Sequence, residues 1–310
     1  MLLDRLNYYM RSTWLVAVTS GACVILVSER GDVIEHPTSH ASQWSALMQR
    51  LSAPLSGTEV GELAALIPDL DERLWDLLVD GGYVASSQDR DTLVELQKSV
   101  FQNNQGFHLT AVDPVCGHLI LACTGSIVSG LMAPTILSLC FSRFQRRFDV
   151  VLTESAQRFV TRDLLESYGI RTWTDAFERR EQINVPHVQL GRSADCILVM
   201  PATANSLNRI ATAACTDLLS TTVAASKAPV VLVPAMNEAM WSNRAVQRNV
   251  QQLRDDGMYV IEPTLIFGAV DLATGGDAMY GGHGTLWGGP RSLIHALSAI
   301  IRSAGAARTE

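Results

Sequence analysis

The stretch 195–241 constrains the fold more than any other part of the chain. It contains two short apolar runs, 196–200 and 230–233. Each is stopped by a proline (Pro201, Pro234) and followed by small and amide residues. Runs that are apolar throughout, with polar residues only beyond their C-terminal ends, are the pattern of parallel strands buried on both faces. In an open α/β sheet the ligand crevice lies outside those strand ends. Residues 201–206 and 234–241 are therefore predicted to rim one site.

The surrounding sequence extends the same alternation. Strands are expected at 118–123, 150–153, 195–200, 229–233 and 258–261, with helices at 127–143, 155–167, 207–215, 217–225, 242–255 and 290–303. That order predicts a doubly wound parallel α/β sheet, Rossmann-like, over residues 117–310. Gly125 sits between Thr124 and Ser126 where the first strand meets its helix. Glycine suits a tight turn there, and the hydroxyls with the free amides of a helix start make a small anion seat. One glycine in place of G-x-G-x-x-G disfavours a dinucleotide and fits a mononucleotide phosphate.

Residues 1–100 read differently. Positions 13–36 alternate like strands, with a Gly31-Asp32 turn. Helical periods follow at 42–51, at 58–67 (opened by Thr58) and at 71–79, and Gly81-Gly82 breaks into a short strand. This order predicts a winged-helix-like α+β domain over 1–100, then a linker at 101–116. It resembles the leader-peptide recognition modules fused to peptide-modifying enzymes; a plain dimerisation or packing domain is the alternative. Asp69, Asp71, Glu72, Asp76 and Asp80 crowd the third helix, where a DNA reader would need cations. The strand edges at 23–27 or 33–36 could take a leader peptide as an added strand, and the acidic helix would favour basic or apolar anchors on it.

At 310 residues the chain is long enough for two domains, and its net charge of −7 gives no attraction to nucleic acid or anionic membrane. No run reaches the ~18 apolar residues of a membrane span. Six cysteines without C-x-x-C spacing predict buried free thiols in a reducing compartment and no metal site. A soluble, cytoplasmic protein is expected.

The motifs in the second part then become specific. Thr124-Gly-Ser-Ile, Leu152-Thr-Glu-Ser-Ala-Gln-Arg-Phe, Pro186-His187, Pro201-Ala-Thr-Ala-Asn-Ser, Asp217-Leu-Leu-Ser-Thr-Thr and Pro234-Ala-Met-Asn-Glu-Ala-Met-Trp occur in this order. Together they resemble the homo-oligomeric flavin-containing cysteine decarboxylases. That family includes phosphopantothenoylcysteine decarboxylase and the peptidyl-cysteine decarboxylases of lantibiotic-type peptide biosynthesis.

The resemblance implies FMN, with Gly125, Ser126, Ser155 and Phe159 around its phosphate and ribityl chain, and Ala202, Asn205, Ser220, Thr221 and Thr222 beside its ring. It implies His187 and Asn237 as catalytic residues: His187, placed by the sequence at the start of a loop before the third strand, for proton handling, and Asn237 for the substrate carboxylate. Met236, Met240 and Trp241 would wall the substrate, or else pack in the core. Homotrimers, which could assemble into dodecamers, are the implied assembly.

One departure is informative. Where phosphopantothenoylcysteine decarboxylases carry a Leu-Ala-Cys-Gly segment, this chain has Leu272-Ala273-Thr274-Gly275, and Thr274 cannot do thiol redox chemistry. The expectation is therefore oxidative decarboxylation of the C-terminal cysteine of a ribosomal precursor peptide, leaving an aminoenethiol, with the glycine-dense stretch 268–289 closing over the peptide end and His283 in it. The alternatives are a phosphopantothenoylcysteine decarboxylase-like enzyme on a small molecule, and a non-catalytic regulatory flavoprotein of the same fold.

Overall fold

The computed structural model describes residues 7–11, 16–28, 32–52, 54–81, 83–93, 115–131, 136, 139–140, 145–180, 183–266, 282–284 and 289–306. Strands β7 (Cys116–Cys123), β8 (Gln145–Leu152), β9 (Arg171–Trp173), β10 (Cys196–Ala202), β11 (Val230–Pro234) and β13 (Tyr259–Ile261) lie side by side in the order β9-β8-β7-β10-β11-β13. All their pairings are parallel. Numbered in chain order this is 3-2-1-4-5-6, the doubly wound arrangement, and the order reverses between β7 and β10.

The side-chain period of two divides each strand between two cores. Leu119, Leu121, Val150, Leu198, Met200 and Val231 face one side, against Leu293, Leu297 and Ile300 of the helix Gly289–Ala306. Ile120, Val151, Ile197, Val199 and Leu232 face the other, against the helices Pro186–Ser193, Ala204–Ala211, Leu218–Ala224 and Arg244–Asp255. Burial on both faces is why these strands read as unbroken apolar runs.

Several expected elements are displaced. The expected helix at 155–167 is a 3-10 turn, Ala156–Arg158, followed by a separate helix, Arg162–Ser167, because the Thr161 side chain accepts from the Leu164 amide and starts a new helix there. Near the N-terminus, Ser56 and Glu59 form the capping box of the helix Gly57–Ala64, two residues ahead of the expected opener Thr58. Strand β9 and the helix Pro186–Ser193 were not anticipated.

The larger difference concerns residues 1–100. The expected succession of helices is present, at Ala41–Arg50, Gly57–Ala64 and Glu72–Asp80, followed by strand β6 (Val84–Ser87). Strands β1 (Tyr8–Arg11) and β5 (Leu55–Ser56) join β6 in a small sheet. However, β2 (Val16–Thr19), β3 (Cys23–Val27) and β4 (Val33–Pro37) do not form a ribbon of their own. Strand β2 pairs antiparallel with β13, so the large sheet continues β13-β2-β3-β4 to nine strands. The N-terminal helices pack over Ala17, Val24 and Leu26 of this extension.

A buried polar network seals the junction. Glu262, directly after β13, is fully buried and pairs with Arg254 Nη2 at 2.7 Å. It also accepts from Thr19 Oγ1, from Ser45 Oγ at 2.7 Å and from Gln49 Nε2 at 3.1 Å. Arg254 Nε donates to Thr19 Oγ1 at 2.8 Å and Nη2 to Ser45 Oγ at 3.0 Å. Burial alone would raise the Glu262 carboxyl, but Arg254 and the hydrogen bonds outweigh it and hold it below its ordinary value. The stability it confers is therefore present above the ordinary carboxylate range and lost as pH falls through and below that range. Arg254→Met, which strands a buried carboxylate, should cost about 3–5 kcal/mol. Arg254→Met/Glu262→Leu should recover part of that loss, and urea titrations of the three proteins compare them directly.

Candidate active site

The crevice where the strand order reverses is laced shut at its base by one threonine. Thr124, buried at the end of β7, donates through Oγ1 to the Pro201 carbonyl at 2.8 Å and accepts from the Thr203 amide at 3.0 Å. These bonds tie the turn after β7 to the turn after β10. Thr203 in turn caps the helix Ala204–Ala211 through the Ser206 amide. The Thr124 carbonyl accepts from Ser129 Oγ at 2.7 Å and from the Ser126 amide at 2.8 Å, which fixes the first turn.

Gly125 is needed for a reason the sequence did not expose. A Cβ placed there would lie 2.4 Å from Ser155 Cβ, so the turns after β7 and β8 touch through it. Among the described residues, the amides of Gly125, Ile127, Glu154 and Ser155 donate to no group of the chain. Four unspent donors on two adjoining turns, with the Ser126 and Ser155 hydroxyls beside them, fit a phosphate without requiring a cation. Phe159 is exposed nearby on the chain, directly after the 3-10 turn.

Ala202 ends β10, buried, and its carbonyl accepts from the Ala235 amide at 3.0 Å. Asn205 is exposed in the first turn of the next helix. The run 220–222 is less open than expected. Ser220 belongs to a capping box with Asp217, Thr221 Oγ1 donates to the Asp217 carbonyl, and Thr222 Oγ1 donates to the Leu218 carbonyl. All three hydroxyls are thus engaged within their own helix.

His187 does not start a loop: it lies in the first turn of the helix Pro186–Ser193, with Pro186 at its first position. This helix leads into β10, and a crossover helix runs antiparallel to the strand it feeds, so its N-terminus faces the C-terminal rim of the sheet. It presses directly on the helix Leu218–Ala224, since a Cβ at Gly191 would lie 2.9 Å from the Thr222 carbonyl. His187 Nδ1 is buried and has no partner among the described residues. An orphaned buried nitrogen is rare and calls for an external partner.

Asn237 is also fixed. Strand β12 (Met236–Asn237) pairs with β15 (Gly282–Gly284), which pairs with β14 (Thr264–Ile266). The Oδ1 of Asn237 caps the helix Glu238–Trp241 by accepting from the Met240 amide at 2.8 Å. With Oδ1 committed, the exposed Nδ2 is left as a hydrogen-bond donor. Met236 is half-buried and Met240 exposed, whereas Trp241 is core, its Nε1 donating to Gln49 Oε1 at 3.1 Å. Thr274 lies outside the described residues; of the stretch 268–289, residues 282–284 are seen pairing beside Asn237, His283 opposite Met236.

Gln49 and Glu262 were missed in the sequence, where neither stands in a motif. The one signal was a lone acid between Ile261 and Pro263 at the end of an apolar strand. Thiol chemistry has little support here: burial pushes Cys116 and Cys123 up to about 12, so neither ionises at neutral pH. Against expectation, Cys215 is exposed.

A double-wound sheet with a single-glycine phosphate seat and a histidine and an amide on its rim describes a flavin-binding site of the mononucleotide kind. Residues 114–280 match the family described as Flavoprotein. The chain is 34% identical over 157 residues to mersacidin decarboxylase of Bacillus sp. (strain HIL-Y85/54728), covering 51% of this chain and 78% of that one. It is 39% identical over 116 residues to the coenzyme A biosynthesis bifunctional protein CoaBC of Bacillus subtilis (strain 168), but spans only 29% of that protein's length. The solved structure of the FMN-dependent cysteine decarboxylase SpaF superposes with a TM-score of 0.50 at 29% identity, covering 61% of this chain and 97% of that one. The chain belongs to the Flavoprotein family, as its resemblance to the flavin-containing cysteine decarboxylases implied.

Gly125→Ala should drive the two turns apart and lower flavin affinity roughly tenfold or more, by loss of charge-assisted amide contacts to phosphate. Flavin released per mole of purified variant measures it.

Proposed function

We propose that this protein is an FMN-dependent enzyme that oxidatively decarboxylates the C-terminal cysteine of a precursor peptide to an aminoenethiol. The observation that carries this reading is Asn237. Its carbonyl oxygen is committed to a helix cap, so its free amide can meet a carboxylate only as a donor. A neutral donor orients that group without stabilising its charge strongly enough to oppose loss of CO2. FMN fits the seat at Gly125 and Ser155, and when bound it supplies the two-electron oxidation. His187, with its unspent Nδ1, holds or relays the proton of the substrate thiol or carboxylate. Met236 and Met240 give the carboxylate a partly apolar surround. Relatives named as cysteine or mersacidin decarboxylases support the same chemistry.

The reading of Thr274 predicts that the enethiol is released unreduced. A peptide ending in Cys should lose about 46 Da, CO2 plus two hydrogens, without added reductant. A loss of about 44 Da would show instead that the product is reduced. His187→Asn should slow turnover about 10²- to 10⁴-fold with FMN retained. Asn237→Asp preserves the cap but replaces the donor with a charge, so it should abolish turnover at an unchanged melting temperature. Asn237→Ala should in addition lose about 1 kcal/mol of stability.

Ile127, Phe159, Phe177 and Val185 are exposed apolar side chains, which supports assembly with further copies into a trimer or a larger oligomer. Analytical ultracentrifugation tests it; a monomer that turns over substrate refutes it. Recognition of a leader peptide by residues 1–100 is part of the same proposal. Strand β3 lies between β2 and β4, so β4 is the edge a peptide strand could join among the described residues. Deleting these residues would strip β2 from β13, so substitutions along β4 are the cleaner probe.

A further inference from the structure

The helices Ala41–Arg50 and Arg244–Asp255 enclose a groove of about 540 Å³ whose lining includes Ser45, Gln49, Arg244, Gln247, Arg248 and Arg254. Among the described residues its lining holds no acid, on a chain whose net charge is −7. Arg244 and Arg248 are exposed, and their spacing of four puts them on one helical face. Among the described residues neither pairs with a carboxylate. At the floor lies Arg254, only 3% exposed. Its Nε and Nη2 are spent on Thr19, Ser45 and Glu262, leaving Nη1 without a partner among the described residues. Glu262 neutralises Arg254, so the surplus charge of the groove is that of its two rim arginines.

The groove adjoins the site. Gln247 Nε2 donates to the Trp241 carbonyl at 2.6 Å, and Gln49 receives the Trp241 indole. Trp241 ends the short helix that Asn237 caps, so one helical turn, about 6 Å of rise, separates Asn237 from the residue that bonds the groove's Gln49 and Gln247. From Arg244 to Gln251 the wall runs about 10 Å, the length of roughly three extended residues.

We propose that this groove binds an acidic segment of the substrate peptide lying a few residues before its C-terminal cysteine. The inference rests on the peptide reading above and adds where, and by what charge, the peptide is gripped. The Nε2 amides of Gln49, Gln247 and Gln251 already donate within the chain, so it is the two unpaired guanidiniums that select carboxylates and reject lysines. Gripping that segment raises the effective concentration of the cysteine end at Asn237 and His187.

The test uses the full-length, FMN-loaded protein and fluorescein-labelled peptides ending in Cys, with two Asp, two Asn or two Lys placed three to five residues earlier. Binding is read by anisotropy, without turnover. The Asp peptide should bind roughly tenfold tighter than the Asn peptide at low salt, and the gap should narrow as salt rises. Arg244→Ala/Arg248→Ala should remove the preference, and Arg244→Glu/Arg248→Glu should shift it to the Lys peptide. Equal binding of Asp and Asn peptides would overturn the proposal. So would a preference that survives in the double alanine variant with wild-type flavin content and melting temperature. Binding of inorganic phosphate at the arginines without any charge preference among the peptides would mark a small-anion site and overturn it as well. An Asp peptide that binds as described but is not decarboxylated would support the groove and refute the decarboxylase reading.

Discussion

The buried pair of Arg254 and Glu262 is the constraint on which the arrangement of this chain depends. Two charges removed from water lose several kcal/mol each in solvation, and their attraction offsets this only when their remaining lone pairs and protons are also satisfied. Here most of that satisfaction comes from Thr19, Ser45 and Gln49, all from the N-terminal hundred residues. The strand β13 that precedes Glu262 is likewise edged by β2. Residues 16–52 and the flavoprotein sheet are therefore joined by a ladder and by a network that neither part completes alone. Gln49 then carries the connection one step further, to Trp241 and the segment bearing Asn237.

The candidate site is marked by which polar groups remain unspent. The hydroxyls of Thr124, Ser220, Thr221 and Thr222 are all bonded within the chain, where they shape turns and helix starts. The groups left over are the amides of the two turns joined at Gly125, the Nδ1 of His187 and the Nδ2 of Asn237. Amides suit an anion, a lone imidazole nitrogen suits a proton in transit, and a pinned carboxamide donor suits a carboxylate. Structural burial and chemical availability are complementary here. Residues that the motifs single out alike are divided by the fold into those whose polar groups are spent within the chain and those whose groups remain unspent.

A second buried charge shows the same economy in a purely structural setting. Asp149, fully buried in β8, accepts from His118 Nε2 at 2.6 Å, Trp173 Nε1 at 3.0 Å and the guanidinium of Arg171. Burial would raise its carboxyl, but these partners hold it well below the usual range. It ties β7, β8 and β9 together away from the strand-end rim, which leaves the rim free for function.

The sequence by itself determined the parallel sheet and the strand ends at which the candidate site is proposed. Apolar runs ending at Pro201 and Pro234 declare strands buried on both faces, and the ends of such strands are where a ligand must lie. Gly125, Asn237 and His187 stood out as candidates because their neighbours form ordered motifs at those ends. Only the tertiary structure decided the rest. Residues 16–37 alternate as strands whether they form a separate ribbon or extend a sheet, because period-two patterning records burial and not the partner strand. The helix around His187 was hidden by its shortness, only Pro186–Ser193 before the chain turns extended at Ala194. Ser45 and Gln49 carry no local signal, and Glu262 only that of a lone acid closing an apolar strand: the helix and the strand end lie far apart in the chain, and these residues gain their roles only when β2 closes on β13 and leaves a buried charge to be satisfied.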